Sequence, residues 1–407
     1  MPSQVAGSSP ERDPERVTVF DTTLRDGEQA AGVCFSLDDK VEIARALEAM
    51  GVDVIEAGFP QASPSEARAV AAVARNVRDA EVCALARAVA ADVDVAAKAV
   101  RDAARPRVHV FVGSSAVNME HQLRRAEDDV VESVRVAVAR ARAQVAVVEF
   151  SPLDATRTDP AFLARVVRTA IGAGATVINL PDTVGCARPE QVGAMIAELR
   201  ASVPELYGVV LSFHGQDDLG LATANTLAAV AAGARQVEVA VNGIGERAGN
   251  TAFEEVLMAL ALHGAALGVT TGVDTRGIYR LSRLVETRSG IVVPPNKAVV
   301  GRNAFRHASG IHQDGVLKHR ETYETLDPAA MGHPVGSEIV LGKLSGRNGF
   351  QARVAALGIE LSNAELEAAF CRFQRVADQG TVVEDEALRG ICGARPTRDE
   401  AWPGPGV

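Results

Sequence analysis

Apolar runs of β-type alternate with Ala-rich stretches of helical period through the first two-thirds of this 407-residue chain, and that alternation limits its fold more than any other feature. The candidate strands are residues 17–23, 52–58, 81–87, 107–114, 145–151, 176–182, 209–214 and 236–242. Helix-period segments lie between them, as at 38–50, 64–78, 92–103, 127–143 and 189–201. Repeated strand–helix units build a parallel sheet through right-handed crossovers. About eight units suit a closed barrel of roughly 250 residues. A doubly wound sheet would call for a Gly-rich phosphate loop after an early strand, and none stands there. The expected class is therefore α/β: a (β/α)8 TIM barrel with a mostly helical C-terminal region.

The pattern changes after about residue 272. Residues 275–287 look helical. A Pro294-Pro295-Asn296 turn follows, then a polar, Gly-punctuated stretch over 301–349, and then a helical pair at 351–357 and 363–379. The expected division is a disordered lead at 1–16, a catalytic barrel at 17–272, a C-terminal helical region at 273–394 and a flexible tail at 395–407. Hydrophobic residues make up 47% of the chain, enough for a large core, while aromatics are only 4% and the net charge is −10. Without a basic tract, nucleic acid and anionic membranes are poor partners. No apolar run reaches the ~18 residues that a membrane span needs. The lead lacks the apolar core of a signal peptide. The five cysteines show no paired spacing, which suits a reduced, cytoplasmic setting.

In such a barrel the chemistry gathers at the C-terminal ends of the strands. The first strand runs into Asp21-Thr22-Thr23-Leu24-Arg25-Asp26-Gly27-Glu28-Gln29. A carboxylate beside a guanidinium there can bind a metal and stabilise developing negative charge, or simply form a salt bridge that closes the barrel. The seventh strand ends in His214-Gly215-Gln216. Residues two apart share a face, so His214 and Gln216 can offer a nitrogen and a carbonyl oxygen to one divalent cation; a buried, hydrogen-bonded His is the plainer alternative. After the eighth strand, Gly243 to Asn250 is glycine-rich, and Asn250 can add an oxygen, although a tight turn explains the glycines equally well. At the sixth strand, Asn179 and Thr183 can bond a carboxylate, or Thr183 can cap a helix. His312, within Ser309-Gly310-Ile311-His312-Gln313-Asp314-Gly315, reads as a loop histidine. It is either a general base or an ordinary surface side chain.

Taken together and in order, these motifs resemble the 2-isopropylmalate synthase and homocitrate synthase family over residues 17–350. Leu85-Ala86-Arg87-Ala88 and Val148-Glu149-Phe150-Ser151-Pro152 are more similar to the isopropylmalate branch. The resemblance implies a Claisen condensation of acetyl-CoA, the co-substrate, with a 2-oxo acid held on a divalent metal (Mg, Mn, Co or Zn), followed by thioester hydrolysis. It implies metal positions at Asp26, His214, Gln216 and Asn250. Arg25, Glu28, His312 and Tyr323 fall at catalytic positions, with His312 as the base and Tyr323 its partner. Arg25, Ser151, Leu153, Asn118, Asn179 and Thr183 fall at acceptor-binding positions. The last region of the chain would reach the partner's active site in a domain-swapped homodimer. The family's further regulatory domain would be missing, and with it leucine feedback through that domain.

Three positions depart from the family pattern. Gln216 and Asp217 stand where a second His and an Asn are usual, Leu153 replaces a Glu, and Asn118 replaces a His. A Gln carbonyl is a harder ligand than imidazole and shifts preference toward Mg²⁺ or Mn²⁺. Loss of the carboxylate at 153 removes a repulsion against an anionic acceptor such as phosphonopyruvate, a phosphinate analogue or oxaloacetate. The same Leu153 makes the pocket more apolar, which leaves the opposite reading open. Isopropylmalate, homocitrate or citramalate synthesis, an acyl-CoA lyase of the same superfamily, and a non-catalytic barrel are the alternatives.

Overall fold

The computed structural model describes residues 13–380 and 383–393. Eight parallel strands close a barrel: β1 (Thr18–Asp21), β2 (Val54–Gly58), β3 (Glu81–Arg87), β4 (Pro106–Gly113), β5 (Val147–Leu153), β6 (Val177–Asp182), β7 (Val210–Gly215) and β8 (Gln236–Val239), with β8 pairing back onto β1. Parallel strands covered on both faces read as continuous apolar runs, and every residue of β2 and β6 is buried. The helices are α1 (Leu37–Ala49), α2 (Pro64–Asn76), α3 (Ala90–Val100), α4 (Glu127–Arg142), α5 (Pro160–Gly172), α6 (Pro189–Ser202), α7 (Ala222–Ala231) and α8 (Phe253–Leu267). Their starts are chemically marked. Ser36 and Asp39 form a capping box on α1, and Ser63 and Asp159 cap α2 and α5 ahead of Pro64 and Pro160.

The strand ends differ from the sequence pattern for local reasons. β8 stops at Val239 because the chain turns into a short 3-10 segment, with Asn242 left-handed at φ 60°. Val17 leaves the barrel ladder, its N–H bonding Thr270 O instead. The expected disordered lead is ordered at its end, where Glu15–Arg16 pairs with Val269–Thr270. The rest of that lead, 1–12, and the tail at 395–407 lie outside the described residues.

The chain divides into two compact units, Met1–Val293 and Pro294–Val407. Helix α9 (Ile278–Ser289) belongs to the first, where Arg288 pairs with Glu42 of α1 at 2.6 Å. The second unit holds α10 (Gly310–Lys318), α11 (Arg347–Ala356), α12 (Asn363–Ala377) and α13 (Asp385–Gly393). Its core is built on Phe350, Leu366, Phe373 and Leu388. The segment read as a loop around His312 is helix α10. Its glycines mark close packing instead: a Cβ at Gly310 would meet Gly346 N at 2.7 Å, and one at Gly315 would meet the Tyr323 ring at 2.6 Å. Gln313, fully buried, donates to His307 O, Val340 O and Ser345 Oγ, which ties the helix down. Phe350 is fully buried against Phe370 and Phe373. Phe350→Ala should therefore cost about 3–5 kcal/mol, read as a lower denaturation midpoint of the second unit. An unchanged midpoint would contradict this packing.

Candidate active site

The rim of the first unit is assembled from the ends of its strands. After β1 the chain turns tightly, with Gly27 N bonded to Thr22 O and Asp26 N to Thr22 Oγ1. This turn presents Arg25 and Asp26, whose side chains pair at 2.5 Å. Arg25 Nε also meets Glu56 Oε2 of β2 at 2.6 Å, so one guanidinium is shared by two carboxylates. Burial alone would lower the Arg25 pKa, but Glu56 and Asp26 hold it above its ordinary value. Burial would raise Asp26, yet Arg25 and His214 together hold it below the usual carboxylate range.

His214 ends β7, with its Nδ1 at 2.8 Å from Glu238 Oε2 of β8. A carboxylate only accepts, so Nδ1 carries the hydrogen and Nε2 faces the rim, 3.9 Å from Asp26 Oδ2. Burial alone would lower the ring's pKa, but Glu238 and Asp26 hold it above its ordinary value; in the neutral form Nε2 would offer a lone pair to a cation. Gln216 continues on the same face. Its Nε2 lies 3.2 Å from His214 Nε2 and 3.5 Å from Asp26 Oδ1. Asn250 Nδ2 lies 3.2 Å from the same Asp26 oxygen. Gln216 Oε1 and Asn250 Oδ1 are buried and have no hydrogen-bond partner. The amide nitrogens face Asp26 and His214 here, and exchanging N for O by an amide flip would set these two unpartnered oxygens beside the carboxylate and the imidazole, a mixed N/O donor set that fits a divalent cation.

Arg25, Asp26, His214 and Gln216 open on a cavity of about 190 Å³ whose lining also includes Leu85, Phe111, Leu153 and Pro181. Ser151, Asn179 and Thr183 also line it. Two expected residues lie elsewhere. Glu28 is engaged at both oxygens, by Phe35 N and by the buried Lys40, and acts as a strut behind the turn. Asn118 opens a π-helical segment, Asn118–Leu123, and bonds Ser115 Oγ and Gln122 without lining the cavity. His312 and Tyr323 belong to the second unit. Their exposed rings stack at 3.9 Å, and beside them a buried His307 pairs with Glu324. A larger cavity of about 410 Å³ lies between α5 and α6, but no convergent acid–base set faces it, and we place the site at the strand ends.

The sequence reading missed the polar barrel interior. Glu56, His109, Glu149 and Glu238 are buried there, and His109 and Glu238 also reach the cavity. Two groups among them bring ligand-type atoms within 4.8 Å of one another: Glu56, Cys83 and His109, and His109, Glu149 and Glu238. Arg25 and Arg107 already engage Glu56 and Glu149, which makes these sets ion-pair networks before metal sites. The signal was present: each of these charged residues sits between valines or other apolar residues of a buried strand.

The chain matches the HMGL-like family model over residues 16–285 and the homocitrate synthase post-HMGL domain-like model over 299–381. It is 50% identical to a 2-isopropylmalate synthase of Syntrophus aciditrophicus over 94% of this chain and 73% of that one. It is 52% identical to a 2-isopropylmalate synthase of Acidimicrobium ferrooxidans over 93% and 73%. Among solved structures it resembles hydroxymethylglutaryl-CoA lyase from Pseudomonas aeruginosa, with TM-score 0.58 and 24% identity over 67% of this chain and 93% of that one, a likeness of fold.

Proposed function

We propose, from the premise that the chain belongs to the HMGL-like family, that it condenses acetyl-CoA with a 2-oxo acid and hydrolyses the thioester to a 2-substituted malate. The observation that carries this is the Arg25–Asp26 pair beside His214 and Gln216 on one cavity, with Asn250 bonded to Asp26. Relatives at half identity are named 2-isopropylmalate synthases, and the match over 299–381 to a homocitrate synthase region favours a synthase over a lyase. Arg25, Asp26, His214 and His312 are all present, which argues against a barrel without chemistry.

Asp26, His214, Asn250 and Gln216 would hold the cation. Bound there, a divalent ion polarises a keto carbonyl. The two amide oxygens favour Mg²⁺ or Mn²⁺ over softer Zn²⁺ or Co²⁺. Arg25 offers its guanidinium to the alkoxide that forms at the keto carbon. His312, stacked on Tyr323, takes a proton from the acetyl methyl, and the resulting carbanion attacks that carbon. Water then cleaves the thioester and releases CoA as the free thiol. A second copy of the chain supplies His312 and Tyr323 in a domain-swapped homodimer.

The cavity bears on the acceptor. Its two guanidiniums are already matched, Arg25 by Asp26 and Glu56, and Arg247 by Asp218. A second anionic group on the acceptor would face Leu85, Phe111, Leu153 and Pro181, where burying a charge costs several kcal/mol. We therefore revise the expected anionic acceptor to a 2-oxo acid with a small uncharged side chain. With acetyl-CoA and thiol detection, such acids should exceed oxaloacetate and phosphonopyruvate by about tenfold or more in kcat/KM. The reverse preference would restore the anionic acceptor.

A further inference from the structure

His109 of β4 is 2% exposed in the middle of the barrel and has no part in the steps above. Its Nδ1 lies 2.8 Å from Glu56 Oε1, and its Nε2 lies 2.7 Å from Ser151 Oγ on the cavity wall. Because a carboxylate only accepts, Nδ1 carries a hydrogen. Asn179 Nδ2 donates to the same Ser151 oxygen at 2.9 Å. If Nε2 also carries a hydrogen, both lone pairs of Ser151 are filled, and its O–H is left to donate into the cavity.

Charge balance favours that state. The groups facing His109 are Glu56 of β2, Cys83 of β3, Arg107 of β4, Glu149 of β5 and Glu238 of β8, with Arg25 behind Glu56. Cys83 is neutral, its thiol pushed well up by burial. Burial also pushes Glu149 up to about 7, while the N–H bonds that both its oxygens accept, from Arg107 and from Gln236, favour its carboxylate form. Arg25 also pairs with Asp26 and Arg107 with Glu81, so carboxylates outnumber guanidiniums in this network and an imidazolium at His109 offsets part of the excess negative charge. Burial alone would lower His109, whereas Glu149, Glu56 and Glu238 hold it above its ordinary value.

We propose that His109 is a positioning residue for the condensation: held as an imidazolium by Glu56, it turns the Ser151 hydroxyl into the cavity as a fixed donor to the carboxylate of the bound 2-oxo acid. This rests on reading the cavity as the oxo-acid site. The Glu56–His109–Ser151 chain resembles a hydrolytic triad in outline, but a doubly protonated ring cannot take the serine proton, and the array presents a hydrogen instead of a nucleophile.

The test has one arm without turnover and one with it. In 15N-labelled protein, His109 should show two slowly exchanging imidazole N–H protons that are absent in His109→Gln. They should persist above the free-histidine pKa of about 6.5. A single N–H, or titration near that value, overturns the proposal. In steady-state assays Ser151→Ala and His109→Gln should each raise KM for the 2-oxo acid about tenfold to a hundredfold, with kcat and KM for acetyl-CoA little changed. The double variant should add nothing further, as expected of two residues acting through one bond. Equal losses in kcat without that KM split, or fully additive effects, overturn it. Because the imidazole signal needs no turnover, a wild-type protein that releases no thiol with any 2-oxo acid counts against the condensation reading alone.

Discussion

Arg25→Ala should lower the rate of condensation by about 10²–10³-fold while the protein still binds a divalent cation. Arg25 touches both Asp26 and the interior Glu56, and it lines the cavity at the strand ends. Its charge is fixed before the reaction starts, so the developing alkoxide meets a donor that does not need to reorganise. Arg25→Lys should recover only part of the loss, because an ammonium cannot satisfy two carboxylates and an alkoxide from one planar fork. Removing the guanidinium also leaves Glu56 short of a partner in a fully buried place. The check therefore pairs thiol-release kinetics with a thermal melt. A low rate in a protein that melts normally supports the role. A normal rate, or a rate that falls only in step with unfolding, speaks against it.

His312→Ala should also lower the rate, by about 10²–10⁴-fold, and should do so without weakening oxo-acid binding. The ring is exposed and stacked on Tyr323, and its removal takes away no core contact. If a second copy delivers the base, mixing the Arg25→Ala and His312→Ala proteins under conditions that exchange subunits should return part of the activity. Each mixed dimer then holds one intact pair of Arg25 and His312. Two inactive proteins that remain inactive after demonstrated exchange would contradict delivery by a partner. A His312→Ala protein of full activity would remove His312 from the mechanism.

Much of the barrel is legible in the sequence because a parallel strand buried on both faces leaves a continuous apolar run. All eight runs coincide with barrel strands, and errors are confined to their ends. Those ends depend on contacts that no local pattern records, such as Val17 N bonding Thr270 O. Helix α10 was hidden for a related reason. Gly310 and Gly315 look like loop punctuation until Gly346 and Tyr323 are seen pressing against them. At the site, the spacing of His214 and Gln216 and the order of the strand ends point to the residues that meet Asp26. Glu28 shares that turn yet faces Lys40, since neighbouring side chains on a turn need not share a direction. His109 and Glu56 sit inside apolar strands, where a charged residue has to find its partner from another strand. That partner is a property of barrel closure and not of spacing along the chain.

In the proposed mechanism Asp26, His214, Gln216 and Asn250 hold one divalent cation beside Arg25. Calorimetric titration of Mn²⁺ into metal-free wild-type protein and into Asp26→Ala tests it most directly. One site per chain is expected in the wild type, with loss of that site in Asp26→Ala and the fold retained. Unchanged Mn²⁺ binding in Asp26→Ala, or no binding by the wild type, would contradict it.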